Sequence, residues 1–275
     1  MMNNKLELNV NECFRLLDES FNRVKYFSCI TDNLSATVLP QTWQITNASG
    51  FIYDIPEISK NDVGNFVEGY KYFMQRYLVR DCIESFALCL DSLFFIFLLN
   101  GKRLHSNQVL YEALSTEEKA ALKAFERNGI SYKVQELEKK FNLKLPEDHH
   151  KGLSSLKDIR HCLSHSNGIV RHIDGKEDKE GSRLFQWSVF SIFAVGIQSG
   201  KRFKIELHKA FEEEVNICAK LGNQSKSFKV GEHLSFTSSE TYEIALSLHY
   251  VALEYLKQVG ESSGSSTAQT IDENV

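Results

Sequence analysis

Turn formers are scarce in this chain: 3 prolines and 15 glycines among 275 residues. That shortage argues against a many-stranded sandwich or barrel, which needs a turn at the end of every short strand. Charge of one sign is lacking too, because 32 basic residues face 36 acidic ones for a net of −4. Such a balance leaves no broad electrostatic footprint for nucleic acid, so any contact of that kind must rest on a local patch. The six cysteines (Cys13, Cys29, Cys82, Cys89, Cys162 and Cys218) include no CxxC pair. Scattered thiols fit core packing in a reducing compartment better than a disulfide framework. The opening MMNNKLELNVNECF has no basic stretch ahead of an apolar run, which predicts no secretory leader and a cytoplasmic protein. The sequons at Asn33, Asn47 and Asn223 are then inert. Also missing are a P-loop, a GxGxxG after a strand and a GxSxG elbow.

What is present is an ordinary globular composition, 42% hydrophobic and 25% charged, which excludes wholesale disorder. The length suits one large domain or two small ones. Residues 1–58 read as an N-terminal extension: a helix over 10–26, then an irregular segment with Pro40, Pro56 and an Asn47–Gly50 turn signal. A helical domain is expected over 59–259, beginning with one long helix at 62–99. Within it, CIESFALCLDSLFFIFLL (82–99) is nearly long enough to span a membrane, but Glu84 and Asp91 interrupt it, so it reads as a core helix. No membrane association is expected.

Ser115-Thr-Glu-Glu118 is a capping-box pattern opening the next helix, which Asn128–Gly129 closes. A short helix follows at 132–141. Ser154 or Ser155 can cap another at about 156–166, ended by Asn167–Gly168. Beyond it lies a small β insertion, about 183–236. Phe185, Trp187 and Val189 alternate, as do Phe203, Ile205 and Leu207 across a Ser199–Gly200 turn. Inside the insertion, 209–221 has helical spacing (Phe211, Val215, Cys218), and 228–236 reads as a strand. Thr237-Ser-Ser-Glu240 caps the last helix at 242–258, and the polar residues 260–275 are expected to form a disordered tail. The fold class is therefore mainly α, an antiparallel helical bundle with a β-hairpin or sheet insertion before the final helix.

Five of nine histidines (His149, His150, His161, His165 and His172) fall within 24 residues, beside Lys151, Lys157, Arg160 and Arg171. This is the local basic patch that the net charge hides. At about 100° per residue, Leu156, Ile159 and Leu163 share the core face, and Arg160, Ser164, His161 and His165 follow round one flank. A guanidinium stays charged while imidazoles titrate near neutral pH, the combination suited to moving protons beside an anion.

RHCLSHSNG, from Arg160 to Gly168, on a helix that follows a long apolar helix, resembles the signature of HEPN domains. In that family an Arg, commonly followed by a polar residue, precedes a His after four to six residues. Arg160, His161 and His165 fit with four between. The resemblance extends to the internal acid Glu84, the Asn167–Gly168 exit and a late GEHLSF strand leading into the closing helix, and spans about residues 60–258, closest to the stand-alone HEPN proteins of plasmid and defence systems. One departure is His161, where HEPN nucleases often carry Asn. The bare spacing recurs at Arg202–His208.

The resemblance implies a metal-independent endoribonuclease of toxin–antitoxin, abortive-infection or anti-phage systems. A ribose 2′-hydroxyl would attack its neighbouring phosphate, His165 would move the proton and Arg160 would hold the developing charge. His161, Ser164, Asn167 and Glu84 would support them, with no metal and no cofactor. Arg160 and His165 leave a helix about 140° apart, and the family answer is a homodimer with both motifs at the interface. RNA is the implied substrate, and an antitoxin or nucleotidyltransferase an implied partner. Plainer readings stand beside these: Arg160 can pair with Asp158 or Glu84, Arg80–Glu84 is an ordinary i,i+4 pair, and His165 suits a helix C-terminus. The alternatives are a non-catalytic RNA-binding or interaction module, and a metal hydrolase using His161 and His165 with His172, Asp158 or His149.

Overall fold

The computed structural model describes residues 11–34, 43–46, 52–55, 62–100, 102, 110–145, 147–205 and 210–262. Helices come first: α1 (Asn11–Asn33), α2 (Val63–Leu99), α3 (Thr116–Arg127), α4 (Ile130–Phe141) and α5 (Glu147–His165). A small hairpin, β1 (Trp43–Thr46) and β2 (Ile52–Ile55), lies between α1 and α2, within the segment expected to be irregular. After α5 come β3 (Lys176–Glu177), β4 (Arg183–Gly196), β5 (Arg202–Lys204) and β6 (Val215–Phe228), then α6 (Ser238–Ser262). The architecture is mainly helical with an antiparallel sheet inserted before the last helix, as its sequence pattern predicts.

The core forms along α2. Leu78, Cys82, Ile83, Phe86, Cys89, Leu90, Leu93 and Phe94 recur every three or four residues and are at most 1% exposed. Length and apolar composition would let α2 cross a membrane, and half of its most apolar stretch is buried inside the protein. Helix α1 is built into this bundle through Phe14, Leu17 and Val24, with Asp81 of α2 taking hydrogen bonds from Ser20 and Arg23. Phe94 stacks on Phe125 of α3, ring centroids 3.9 Å apart.

The capping box at Ser115 forms as read: its hydroxyl accepts from the Glu118 amide, and the Glu118 carboxylate accepts from the Ser115 amide. Thr237 and Glu240 repeat it ahead of α6. The latter helix runs to Ser262, three residues into the expected tail; residues 263–275 lie outside the described residues.

Three expectations are overturned. Of the residues expected to be helical at 209–221, 215–221 instead enter β6, which pairs antiparallel with β4 over fourteen residues, from Arg183↔Phe228 to Gly196↔Val215; residue 209 lies outside the described residues. A complete ladder of backbone hydrogen bonds outweighs a weak helical period. Conversely, 229–236 is not a strand: Gly231 turns the chain at φ +90° and one bridge, Ile169↔His233, remains. Finally, α5 begins at Glu147, well before the serines expected to cap it. Gly152 lets the helix lie against β4, where an added Cβ would meet Ser188 Oγ at 1.8 Å and its amide nitrogen at 2.8 Å. Ser155 Oγ accepts from the Gln186 amide at 3.1 Å, tying helix to sheet rather than capping.

Candidate active site

Helix α5 faces two ways. Leu156, Ile159, Cys162 and Leu163 are buried, while Arg160, His161, Ser164 and His165 are exposed, so the polar flank expected from helical angles is present. Burial pushes the Cys162 thiol up to about 12, which marks it as a packing residue, not a nucleophile. The exit of α5 is fixed by backbone geometry. Asn167 (φ +49°) and Gly168 (φ +77°) both adopt left-handed conformations, and the amides of Ser166 and Gly168 donate to the Cys162 carbonyl. Arg76 of α2, stacked 4.4 Å over the Tyr72 ring, donates to the Asn167 carbonyl.

The exposed flank opens on a groove of about 810 Å³. One wall is α2, with Glu84, Leu88 and Asp91; another is the α3–α4 junction, from Glu126 to Ile130, with Lys133; the third is α5, with Lys157, Asp158, Arg160, His161, Ser164 and His165. Of the residues expected to form the site, Arg160, His165, His161, Ser164 and Glu84 therefore meet here. Asn167 does not line the groove and serves the helix exit instead. Arg202, of the second spacing match, stacks on Phe193 within the sheet, and His208 lies outside the described residues.

Charge in the groove is evenly matched. Glu84, Asp91, Glu126 and Asp158 oppose Arg127, Lys133, Lys157 and Arg160. Glu84 Oε1 lies 3.7 Å from Arg80 Nε and 3.8 Å from Arg160 Nε, so the plain pairings of the sequence are also present. Lys133 is 2% exposed, and its ammonium donates to Asp91 and the Ala87 carbonyl. Burial raises the Asp91 carboxyl pKa against the opposing pull of that lysine. Asp158 is raised as well, chiefly by burial, with Lys157 and Lys176 pulling down and Asp174 adding to the rise.

Sequence reasoning missed Asp174. Its buried carboxylate takes both Nε and Nη2 of Arg171, at 3.1 and 3.0 Å, and lies 4.0 Å from His161 Nε2. Burial acts to raise its pKa, but the hydrogen bonds from the Arg171 side chain and amide outweigh it and hold the carboxyl below the usual range. The only sequence signal was an arginine three residues ahead of an acid in a turn. Arg171 is thus drawn off the basic patch, and Lys157 and Arg160 carry that patch into the groove.

His161 and His165 approach with ring centroids 4.7 Å apart. Among the described residues no group of three His, Cys, Asp or Glu side chains is placed to hold a metal ion. No family model matches this chain, and no curated protein or solved structure matches it.

Proposed function

We propose that this protein is a HEPN-type, metal-independent endoribonuclease, working in the cytoplasm as a toxin or anti-phage effector. One observation carries the reading: Arg160 and His165, five residues apart on α5, open on the same solvent-reachable groove. A phosphodiester lying there meets the Arg160 guanidinium, suited to holding an anion, and the His165 imidazole, suited to moving a proton. Arg160 steadies the charge on the pentacoordinate phosphorus while His165 moves a proton, and the products are a cyclic phosphate and a 5′-hydroxyl. His161 and Ser164 flank them, and Glu84 is a supporting carboxylate beside Arg160. The motif helix is the proposed two-fold contact of a homodimer, so that the pair is presented twice across one cleft. An antitoxin or nucleotidyltransferase is the partner this reading proposes.

The deciding experiment is a gel assay on total RNA and tRNA in chelator, comparing wild type with Arg160→Ala and His165→Ala. Cleavage by the wild type alone supports the reading; intact RNA in all three lanes overturns it. A second reading is favoured by the matched charges of the groove and by the Arg160–Glu84 contact: a non-catalytic module that binds RNA or a protein segment there. It predicts retarded but uncut RNA.

A further inference from the structure

Transesterification needs two proton movements, one off the 2′-hydroxyl and one on to the departing 5′-oxygen. Arg160 serves neither, because a guanidinium does not deprotonate in proteins. We infer that His161 is the second proton-transferring group of this site and that Asp174 is its positioning residue. The assignment rests on the endoribonuclease reading.

Asp174 is fixed in place between Arg171, the buried Cys162 thiol and the His161 ring. Its side chain is 0% exposed, and Arg171 grips both oxygens while the Arg171 amide donates to Oδ2 at 2.9 Å. The carboxylate cannot swing to solvent without breaking three hydrogen bonds. Oδ1 is the oxygen that faces Nε2 of His161, 4.0 Å away. With its proton affinity lowered by Arg171, Asp174 is an anion at neutral pH. A fixed anion at one ring nitrogen keeps the proton there and leaves the other, Nδ1, to the groove. Four ångströms is long for a hydrogen bond, and such contacts tighten when substrate fills a site. On its other side the His161 ring leans on His165 at 48° between planes. The charged and titratable groups that share this groove or the Asp174 pocket with His161 are Lys157, Asp158, Arg160, Cys162 and His165 on its own helix, Asp174 and Arg171 from the loop after it, Glu84 and Asp91 on α2, Glu126 and Arg127 on α3, and Lys133 on α4.

The step then balances. Nδ1 of His161 takes the 2′-hydroxyl proton as the O2′–P bond forms, and Asp174 stabilises the imidazolium that results. The P–O5′ bond breaks, O5′ takes the proton of His165, and Arg160 faces the non-bridging oxygens throughout. Exchange with water returns both rings to their starting states.

Single-turnover cleavage of a short single-stranded RNA in chelator, followed from about pH 5 to 9, tests this. Wild type is expected to give a bell with two limbs. His161→Ala should lose about 10²–10⁴-fold, lack the acidic limb and recover in part with free imidazole, while His165→Ala lacks the alkaline limb. Asp174→Asn should slow cleavage about 10–100-fold and displace the acidic limb without abolishing it. Because Asp174 is buried and its variant can fail to fold, the imidazole rescue of exposed His161 carries the test by itself. If His161→Ala keeps both limbs at near wild-type rate, this assignment is overturned and the endoribonuclease reading survives. Wild type that leaves the RNA uncut overturns both.

Discussion

Nε of Arg160 lies 3.8 Å from Oε1 of Glu84, a contact between two half-exposed side chains on different helices. Exposed ion pairs of this kind add little to stability, about 0–1 kcal/mol, so its effect falls on what Arg160 is free to bind. A phosphate must compete with the carboxylate for the guanidinium. Glu84→Gln is therefore expected to bind single-stranded RNA about two- to fivefold more tightly, as the release of up to about 1 kcal/mol allows, with an unchanged melting temperature. Fluorescence anisotropy beside a thermal melt checks both. Weaker binding would mean that Glu84 holds Arg160 in its working orientation.

Helix α5 is docked on β4 by a missing side chain. At Gly152 alanine should favour the helix by about 1 kcal/mol, yet its Cβ would collide with Ser188 Oγ and with the Ser188 amide nitrogen. The hydroxyl can be removed and the backbone cannot. Gly152→Ala is expected to destabilise by about 1–3 kcal/mol in urea titration, and Ser188→Ala to recover only part of that loss. Full recovery would show that the hydroxyl alone sets the helix–sheet distance.

While Glu84 entered through the family resemblance, the polar flank of α5 that lines the groove was readable from helical geometry. The capping boxes at Ser115 and Thr237 were readable for the same reason, since their signals are local. What escaped depends on contacts distant in sequence. Residues 215–221 carry apolar spacing that suits either period, and only the fourteen-residue partner β4 decides for strand. Asp174 looks like a solvated loop acid until α5 and the start of β4 close round it. Lys133 sits in an ordinary amphipathic helix, and nothing nearby in sequence announces that Asp91, 42 residues earlier, will neutralise it in the interior.

The exit of α5 has its own test. Gly168 has φ +77°, and a Cβ there would meet Arg76 Nη1 at 2.7 Å. The left-handed conformation costs a non-glycine residue about 1–2 kcal/mol. Gly168→Ala should therefore destabilise by about that amount and push Arg76 off the Asn167 carbonyl. Arg76→Ala removes the same contact without the backbone strain. Both are expected to speed hydrogen exchange at Ser166 and Gly168, whose amides share the Cys162 carbonyl, and to leave the amides of α3 unchanged. Unaltered exchange in Arg76→Ala would mean that the turn holds itself.

Asp174 and Asp158 make opposite predictions about pH. For Asp174 the folded carboxyl lies below its ordinary value because Arg171's bonds overcome burial, so its ionised form favours the fold. That contribution is present above the unfolded carboxylate pKa, about 3.9, and is lost as pH falls through the lower folded value. For Asp158 burial raises the folded carboxyl, so ionisation works against the fold at neutral pH and protonation relieves it. Asp174→Asn should cost about 1–3 kcal/mol at neutral pH, the worth of charge-assisted bonds to a buried group, and its deficit should shrink in acid. Asp158→Asn should raise the melting temperature at neutral pH, and its advantage should vanish below the ordinary aspartate range. Melting curves of the two variants against wild type at neutral and acid pH read both signs at once. A neutral-pH loss in Asp158→Asn would reveal a partner that its carboxylate serves in the groove, and would add it to the groups that act on His161.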